Sequence, residues 1–337
     1  MHPLSKRDQV PPSTGSGLPP PPGVAGDIAK FAFQTLERQV PEVAILTALG
    51  LLAGFCGKAF VVAGDGLNIR VVFIAEDCVA ENALERGIVS IVSAVSKSYP
   101  EITRFVDSYE YSNGPALTKA LSAQPSFLNL VGDIGSNLDG MTTSKNDRMA
   151  ALQHAMQHRD TTTCSGYSLI SRTTPRSIRK TLTASVLGSD FIHTFMMVEC
   201  SRVQPPVNKR TDHPLADVLR EQVVKLCEVA TGNRACNSPT SVAVDAEASL
   251  FLDTFNSYCD SVITSSDDDV THRIWNNAHG NSLRVAALLA VADDCKLPIV
   301  KVQHAEWARE FVLHGIGFVS RHNVVPHKPR NKRTARG

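Results

Sequence analysis

The period of the hydrophobic positions changes along the chain, and those changes divide it. The first 22 residues show no period and hold seven of the nineteen prolines, together with Ser and Gly. Such a stretch cannot bury enough apolar surface to offset its ordering entropy, so residues 1–25 are expected to be a disordered Pro-rich lead-in. From Gly26 the spacing turns helical through Ile28, Phe31, Phe33 and Leu36, and an almost wholly apolar helix follows over 43–56. Two strand-type runs come next, Ala59 to Val62 and Ile69 to Ile74. The second is rich in β-branched residues and reads as a buried parallel strand. A helix over 81–97 carries Ala83, Leu84, Ile88, Ile91 and Val92 on one stripe, and further strands are predicted at 127–131, 167–170 and 195–199. Strands alternating with helices at this spacing predict an α/β fold on a parallel sheet.

After Pro205-Pro206 the texture changes. Segments 215–230, 246–263, 275–292 and 302–314 have helical spacing, with no convincing strand among them. The pattern therefore predicts an α/β core with N-terminal helices over 26–211, a helical subdomain over 212–322 and a tail over 323–337. No internal repeat is present.

Charge adds one asymmetry. Lys plus Arg number 34 against 33 Asp plus Glu, a net of +1. That balance excludes a uniformly basic nucleic-acid coat protein and an acidic disordered protein. The last ten residues hold five of the cations (Lys328, Arg330, Lys332, Arg333 and Arg336) and no acid, which leaves the remainder at −4. A flexible basic segment binds phosphates without sequence specificity, which makes this tail the candidate DNA contact; a solvated chain end is the plain alternative. The eight cysteines are scattered without a CxxC pair, which argues against a zinc ribbon or a disulfide scaffold. Reduced thiols in a cytoplasmic compartment are expected. The 43–56 run is shorter than the roughly 20 residues of a membrane span, and the first 22 residues lack a signal-peptide core. No membrane contact is expected.

An apolar strand running into a helix is where a phosphate-binding loop belongs. Here that place reads Ala75-Glu76-Asp77-Cys78-Val79-Ala80-Glu81-Asn82. Against GxxxxGK[ST], Ala75 and Ala80 stand at the glycines, Glu81 at the Lys and Asn82 at the Ser/Thr. Matching segments then run along nearly the whole chain, from Pro22-Gly23 and Ala48 to Gly57 through Leu67-Asn68-Ile69-Arg70 and Gly132-Asp133-Ile134-Gly135. They continue with Thr173-Thr174-Pro175, Asp190 to Phe195, Trp275 to His279, Leu283 to Ala286, Ala290 to Asp293, Pro298 and Ala305 to Ala308. In order and spacing these resemble a large family of P-loop ATPases encoded by phages, prophages and other mobile elements, linked to replicative primase–helicase modules.

The resemblance implies a P-loop NTPase-like core, ring assembly and a phage replication partner, and the departures from it imply lost chemistry. Glu81 replaces the phosphate-binding Lys, with Glu76 and Asp77 beside it. Losing a cation near a phosphate and gaining an anion is worth on the order of 4 kcal/mol for each of the two changes at ~4 Å and an effective dielectric near 20. The metal-binding Asp of Walker B aligns with Gly132 and the catalytic Glu with Asp133; a one-residue shift makes Asp133 the metal ligand and puts Ile134 at the Glu. Two expected arginines align with Thr194 and Asn277, and Thr173 or Thr174 remains as a polar sensor. The expectation is a non-catalytic helicase-like protein without cofactor or bound metal, serving as a DNA-associated or protein-binding subunit. The alternatives are an ATPase holding Mg-ATP by unusual contacts, and a structural or inhibitory docking protein that never meets DNA.

Other residue types invite simpler readings. Asp77 is expected to occupy the phosphate position by capping the helix. His154 and His158 share a helix face but lack a third ligand, and Cys164 lacks a placed His, so neither reads as a site. Asp267-Asp268-Asp269 reads as an inter-helix loop, and Trp275 and Trp307 as core residues.

Overall fold

The computed structural model describes residues 17–76, 82–109, 111, 114–134, 166–182, 184–187, 192–200 and 207–322. Helices α1 (Gly23–Thr35) and α2 (Pro41–Cys56) open the fold. Every residue of α2 from Glu42 to Cys56 is buried, as an all-round apolar helix requires. A small hairpin follows, β1 (Phe60–Val62) and β2 (Asp65–Gly66). Its two-residue turn, Ala63-Gly64, has positive φ at both positions (49° and 86°), the twist that suits a tight hairpin. Then come β3 (Arg70–Ile74), α3 (Ala83–Ser96), a 3-10 turn at Pro100–Phe105, β4 (Val106–Asp107), α4 (Gly114–Ala123) and β5 (Ser126–Val131). They lead to β6 (Gly166–Thr173), α5 (Pro175–Thr181), α6 (Ala184–Leu187), a 3-10 turn at Ile192–Thr194 and β7 (Met196–Glu199).

The main sheet has the order β4-β5-β6-β3-β7, and all of its pairings are parallel. Two apolar clusters cover its faces. On one, Val71 and Phe73 of β3 pack with Leu84, Ile88 and Ile91 of α3 and with α1 and α2. On the other, Val72 and Ile74 pack with Leu117 of α4, Ile178 of α5 and Phe318. Burial on both faces explains the uninterrupted apolar strands.

The remaining elements are α7 (Asp217–Ala235), β8 (Thr240–Ser241), β9 (Ala243–Val244), α8 (Ala246–Ser265), α9 (Asp269–Asn276), α10 (Ala278–Asp293), β10 (Ile299–Val300) and α11 (Val302–His322). Residues of α7, α8, α10 and α11 belong to the same apolar cluster as α1 and α2, so the C-terminal helices share the core's interior. Helix α11 also closes the β7 edge of the sheet. A Cβ at Gly315 would stand 2.6 Å from the Met197 carbonyl oxygen, so the helix reaches the strand only because that residue is glycine.

Several expectations change. The Ala59–Val62 run lies outside the main sheet: β1 pairs antiparallel with β2 and parallel with β8. The C-terminal part has strands after all, but each is two residues long, too short to leave a period of two. The helix read over 275–292 is broken at Asn277, whose side-chain amide donates to the Arg273 carbonyl and ends α9. The lead-in is shorter than 1–25. Leu18 is buried, Trp307 Nε1 donates to the Pro19 carbonyl oxygen at 2.9 Å, and α1 begins at Gly23. No helix among the described residues is long and apolar enough to cross a membrane.

Candidate functional site

Parallel sheets bind ligands beyond the carboxyl ends of their strands, where the chain leaves neighbouring strands in opposite directions. Strands β3 and β6 are such neighbours. From β3 the chain passes to α3 on one face, and from β6 to α5 on the other. The carboxyl ends of β3, β5 and β6 bring together Ala75, Gly132, Asp133, Thr173 and Thr174, which lie far apart in the chain. A cavity of about 170 Å³ opens there, lined by Asn82, Glu85 of α3, Ser108, Gly132 and Arg172.

Most polar groups at this edge already have partners. The Ala75 N–H donates to the Thr173 carbonyl oxygen at 3.1 Å. Ser171 Oγ donates to the Gly132 carbonyl at 2.5 Å and accepts from the Ile134 N–H at 3.1 Å, which pins the chain leaving β5. Ser177 Oγ donates to Asp133 Oδ2 at 2.9 Å, and the Ser177 N–H donates to Thr174 Oγ1 at 3.0 Å. Asp133 and Thr174 thus both hold the first turn of α5, on the face of the sheet opposite α3. Thr174 is its N-cap, which is the ordinary work of a threonine before Pro at N1. Thr173 is 2 % exposed, and its hydroxyl is buried without a hydrogen-bond partner among the described residues.

Asn82 precedes α3 in the left-handed region (φ 59°) and makes no capping bond through its side chain. Glu76 is exposed. Asp77, Ala80 and Glu81 lie outside the described residues, as do His154, His158, Cys164 and the tail cations Lys328, Arg330, Lys332, Arg333 and Arg336.

Two positions read from the sequence do not join the others. Thr194 precedes β7, so it lies at the amino edge of the parallel sheet. About five residues of strand, roughly 16 Å, separate it from the carboxyl edge. Asn277 ends α9, as described. The Asp267–Asp269 run is a cap as well. Asp268 accepts from the Thr271 N–H at 3.0 Å and Thr271 Oγ1 at 2.6 Å. Burial alone would raise its pKa, but these bonds outweigh burial and hold it below the usual carboxylate value. Trp275 packs edge-on against Tyr258, and Trp307 stacks on Phe311.

The residue that sequence reasoning passed over is Arg172, the single exposed position in the otherwise buried strand β6. Its signal was present in the chain: an arginine closing an apolar strand one residue before Thr173. Among the described residues, no group of three or more His, Cys, Asp or Glu side chains could hold a metal ion. No protein-family model and no curated protein matches the chain.

Proposed function

We propose that this protein is a non-catalytic descendant of a P-loop ATPase, of the phage or mobile-element type its sequence resembles, and serves as an oligomeric, DNA-associated accessory subunit in replication. The observation that carries this reading is the use of Asp133 and Thr174 to clamp Ser177. The acid at the Walker B position is tied to α5, across the sheet from α3, where the family's phosphate loop would lead. Two features support it. The loop before α3 carries Glu76, Asp77 and Glu81 where a phosphate site needs a cation, and Ala75 stands at a position that calls for glycine. Ala75 follows β3, which lies beside β6 at a topological switch point of the parallel sheet.

One observation favours the second reading, a nucleotide held by unusual contacts: Arg172 lines the cavity beside Asn82 and Gly132. Thermal unfolding with and without Mg-ATP separates the two. The melting temperature stays flat under the first reading. A rise that grows with nucleotide concentration and is abolished by Arg172→Gln establishes the second, because a ligand that binds only the native state stabilises it by mass action.

A further inference from the structure

The outer surface of the face formed by α4 and α5 carries charge of one sign. Lys119 on α4 and Arg176, Arg179 and Lys180 on α5 are all exposed. Leu117 and Ile178, on the inner sides of the same helices, are buried in the same apolar cluster. Between Glu110 and Asp133, and again between Asp160 and Asp190, the sequence has no acidic residue. Among the described residues none of the four cations forms an ion pair; Arg179 Nε donates to the Pro175 carbonyl oxygen at 2.7 Å, which orients its guanidinium. Three carboxylates at the carboxyl ends of the strands are engaged. Asp133 is bonded to Ser177, Asp107 accepts from Tyr111 Oη, and Glu199 pairs with Arg321 at 3.0 Å. With these four cations and the five of the tail set aside, the rest of the chain is at −8. The patch is therefore a local exception to an acidic body.

An aromatic ring stands at the end of β4, five residues before α4. Tyr109 is 61 % exposed. It is held from below by a buried polar network. The Tyr109 N–H donates to Asp107 Oδ1 at 2.7 Å, and its ring meets Tyr111 edge-on at 5.1 Å. Asn129, 1 % exposed on β5, donates to the carbonyls of Asp107 (3.0 Å) and Tyr109 (3.1 Å) and accepts from Tyr167 Oη at 2.9 Å. A buried asparagine in a sheet core costs free energy unless every bond is made, and here its bonds fix the strand end that presents Tyr109.

We propose that this face binds single-stranded nucleic acid, with Lys119, Arg176, Arg179 and Lys180 contacting phosphates and Tyr109 stacking a base. Tyr111, against which Tyr109 packs, belongs to the same side of the sheet as α4 and α5, and unpaired cations with an exposed ring on one side are the two elements of a sequence-tolerant single-strand site. An acidic peptide is the competing occupant. It would need apolar anchors, and the other exposed large hydrophobic residues lie on α3, α7 and α8, near β10 and at Val207. The site uses none of the five tail cations. It rests on the accessory-subunit reading only in taking nucleic acid as the partner, and not on any loss of ATPase chemistry.

The test is fluorescence anisotropy of labelled oligo-dT with the full chain, titrated from about 50 to 200 mM salt. Replacing Lys119, Arg176, Arg179 and Lys180 by Gln is expected to reduce the slope of log K against log salt by about 3, four contacts at about 0.7 each for a single strand. Tyr109→Ala is expected to weaken oligo-dT binding roughly tenfold and leave duplex binding nearly unchanged. Both variants should melt with the wild type, since the altered side chains are exposed. The proposal is overturned if wild type does not bind at the lowest salt, or if both variants bind as wild type does. It is equally overturned if only replacing the five tail cations by Gln removes the slope, or if polyglutamate binds with the same slope and oligo-dT does not. Stabilisation by Mg-ATP would refute the non-catalytic reading alone and leave these slopes as they are.

Discussion

Gly23→Ala tests how the two ends of the chain are joined. Gly23 is the first residue of α1 and has φ of +61°. A Cβ there would stand 2.0 Å from Asp293 Oδ1 and 2.7 Å from its carboxyl carbon, so the carboxylate must leave. That carboxylate accepts from the Val24 N–H at 2.9 Å and from His304 Nε2 at 3.1 Å; His304 is 1 % exposed and accepts from the Lys301 N–H through Nδ1. The left-handed backbone costs an alanine about 1–2 kcal/mol. Displacing Asp293 leaves the buried imidazole N–H without an acceptor, about 1–3 kcal/mol, whereas the half-exposed Val24 N–H regains water. The expected loss is about 3–4 kcal/mol. Urea unfolding followed by tryptophan fluorescence, with Trp307 three residues from His304, should show it as a lower midpoint at an unchanged m value. In an Asp293→Ala background the same substitution should cost only the backbone share, about 1–2 kcal/mol. A loss below about 1 kcal/mol in the native background, or equal losses in both, would refute the clasp.

Three other outcomes follow from the structure. Thr173→Val replaces an unpartnered buried hydroxyl on β6 by a methyl group of similar shape, and should raise stability by up to about 1 kcal/mol in the same unfolding assay; a loss would show that the hydroxyl has a partner in solution. Burial holds His193, His279 and His314 below the usual imidazole pKa, although the Leu187 carbonyl opposes it at His193, Asp253 at His279 and the Glu199 carbonyl at His314. The unfolded chain then binds more protons below about pH 6.5. Stability should be complete above that value and fall as pH drops through the lowered native pKa values, by up to about 1.4 kcal/mol per pH unit for each histidine; a flat profile from pH 7 to 5 would be the contrary result. Among the described thiols Cys236 is exposed, whereas burial raises the pKa of Cys56, Cys227 and Cys295 and pushes Cys259 up to about 12. Cys236→Ser should remove one fast-reacting equivalent toward a disulfide reagent, and labelling of the other five described thiols, Cys200 included, should wait for unfolding.

Part of the candidate site was legible in the chain. The β-branched run ending at Ile74 placed an inner strand of the sheet, and the carboxylates of the following loop set the expectation of a lost phosphate site. Thr173 and Asp133, read from the chain as sensor and Walker B positions, lie near that strand's end because a parallel sheet brings successive strand ends to one edge. Their engagement was not legible. Whether Asp133 faces α3 or α5 depends on where Ser177 falls in the first turn of a helix that begins only after β6. Pro22-Gly23 and Asp293 belonged to the segments that carried the resemblance, yet nothing in their types showed that Asp293 meets the backbone just after Gly23, the Val24 N–H, across 269 positions of sequence.

The sequence by itself determined where the longer buried strands and helices lie, because burial on one face or two imposes a period on any element long enough to show it. It also determined the composition of the loop before α3 and the one-signed charge of α4 and α5. Tertiary structure alone decided that β3 lies between β6 and β7, that β4 forms the edge, and that the 59–62 run pairs elsewhere. Strand partners and hydrogen-bond partners are chosen by backbone geometry between distant segments, and hydrophobic periodicity carries no record of that geometry.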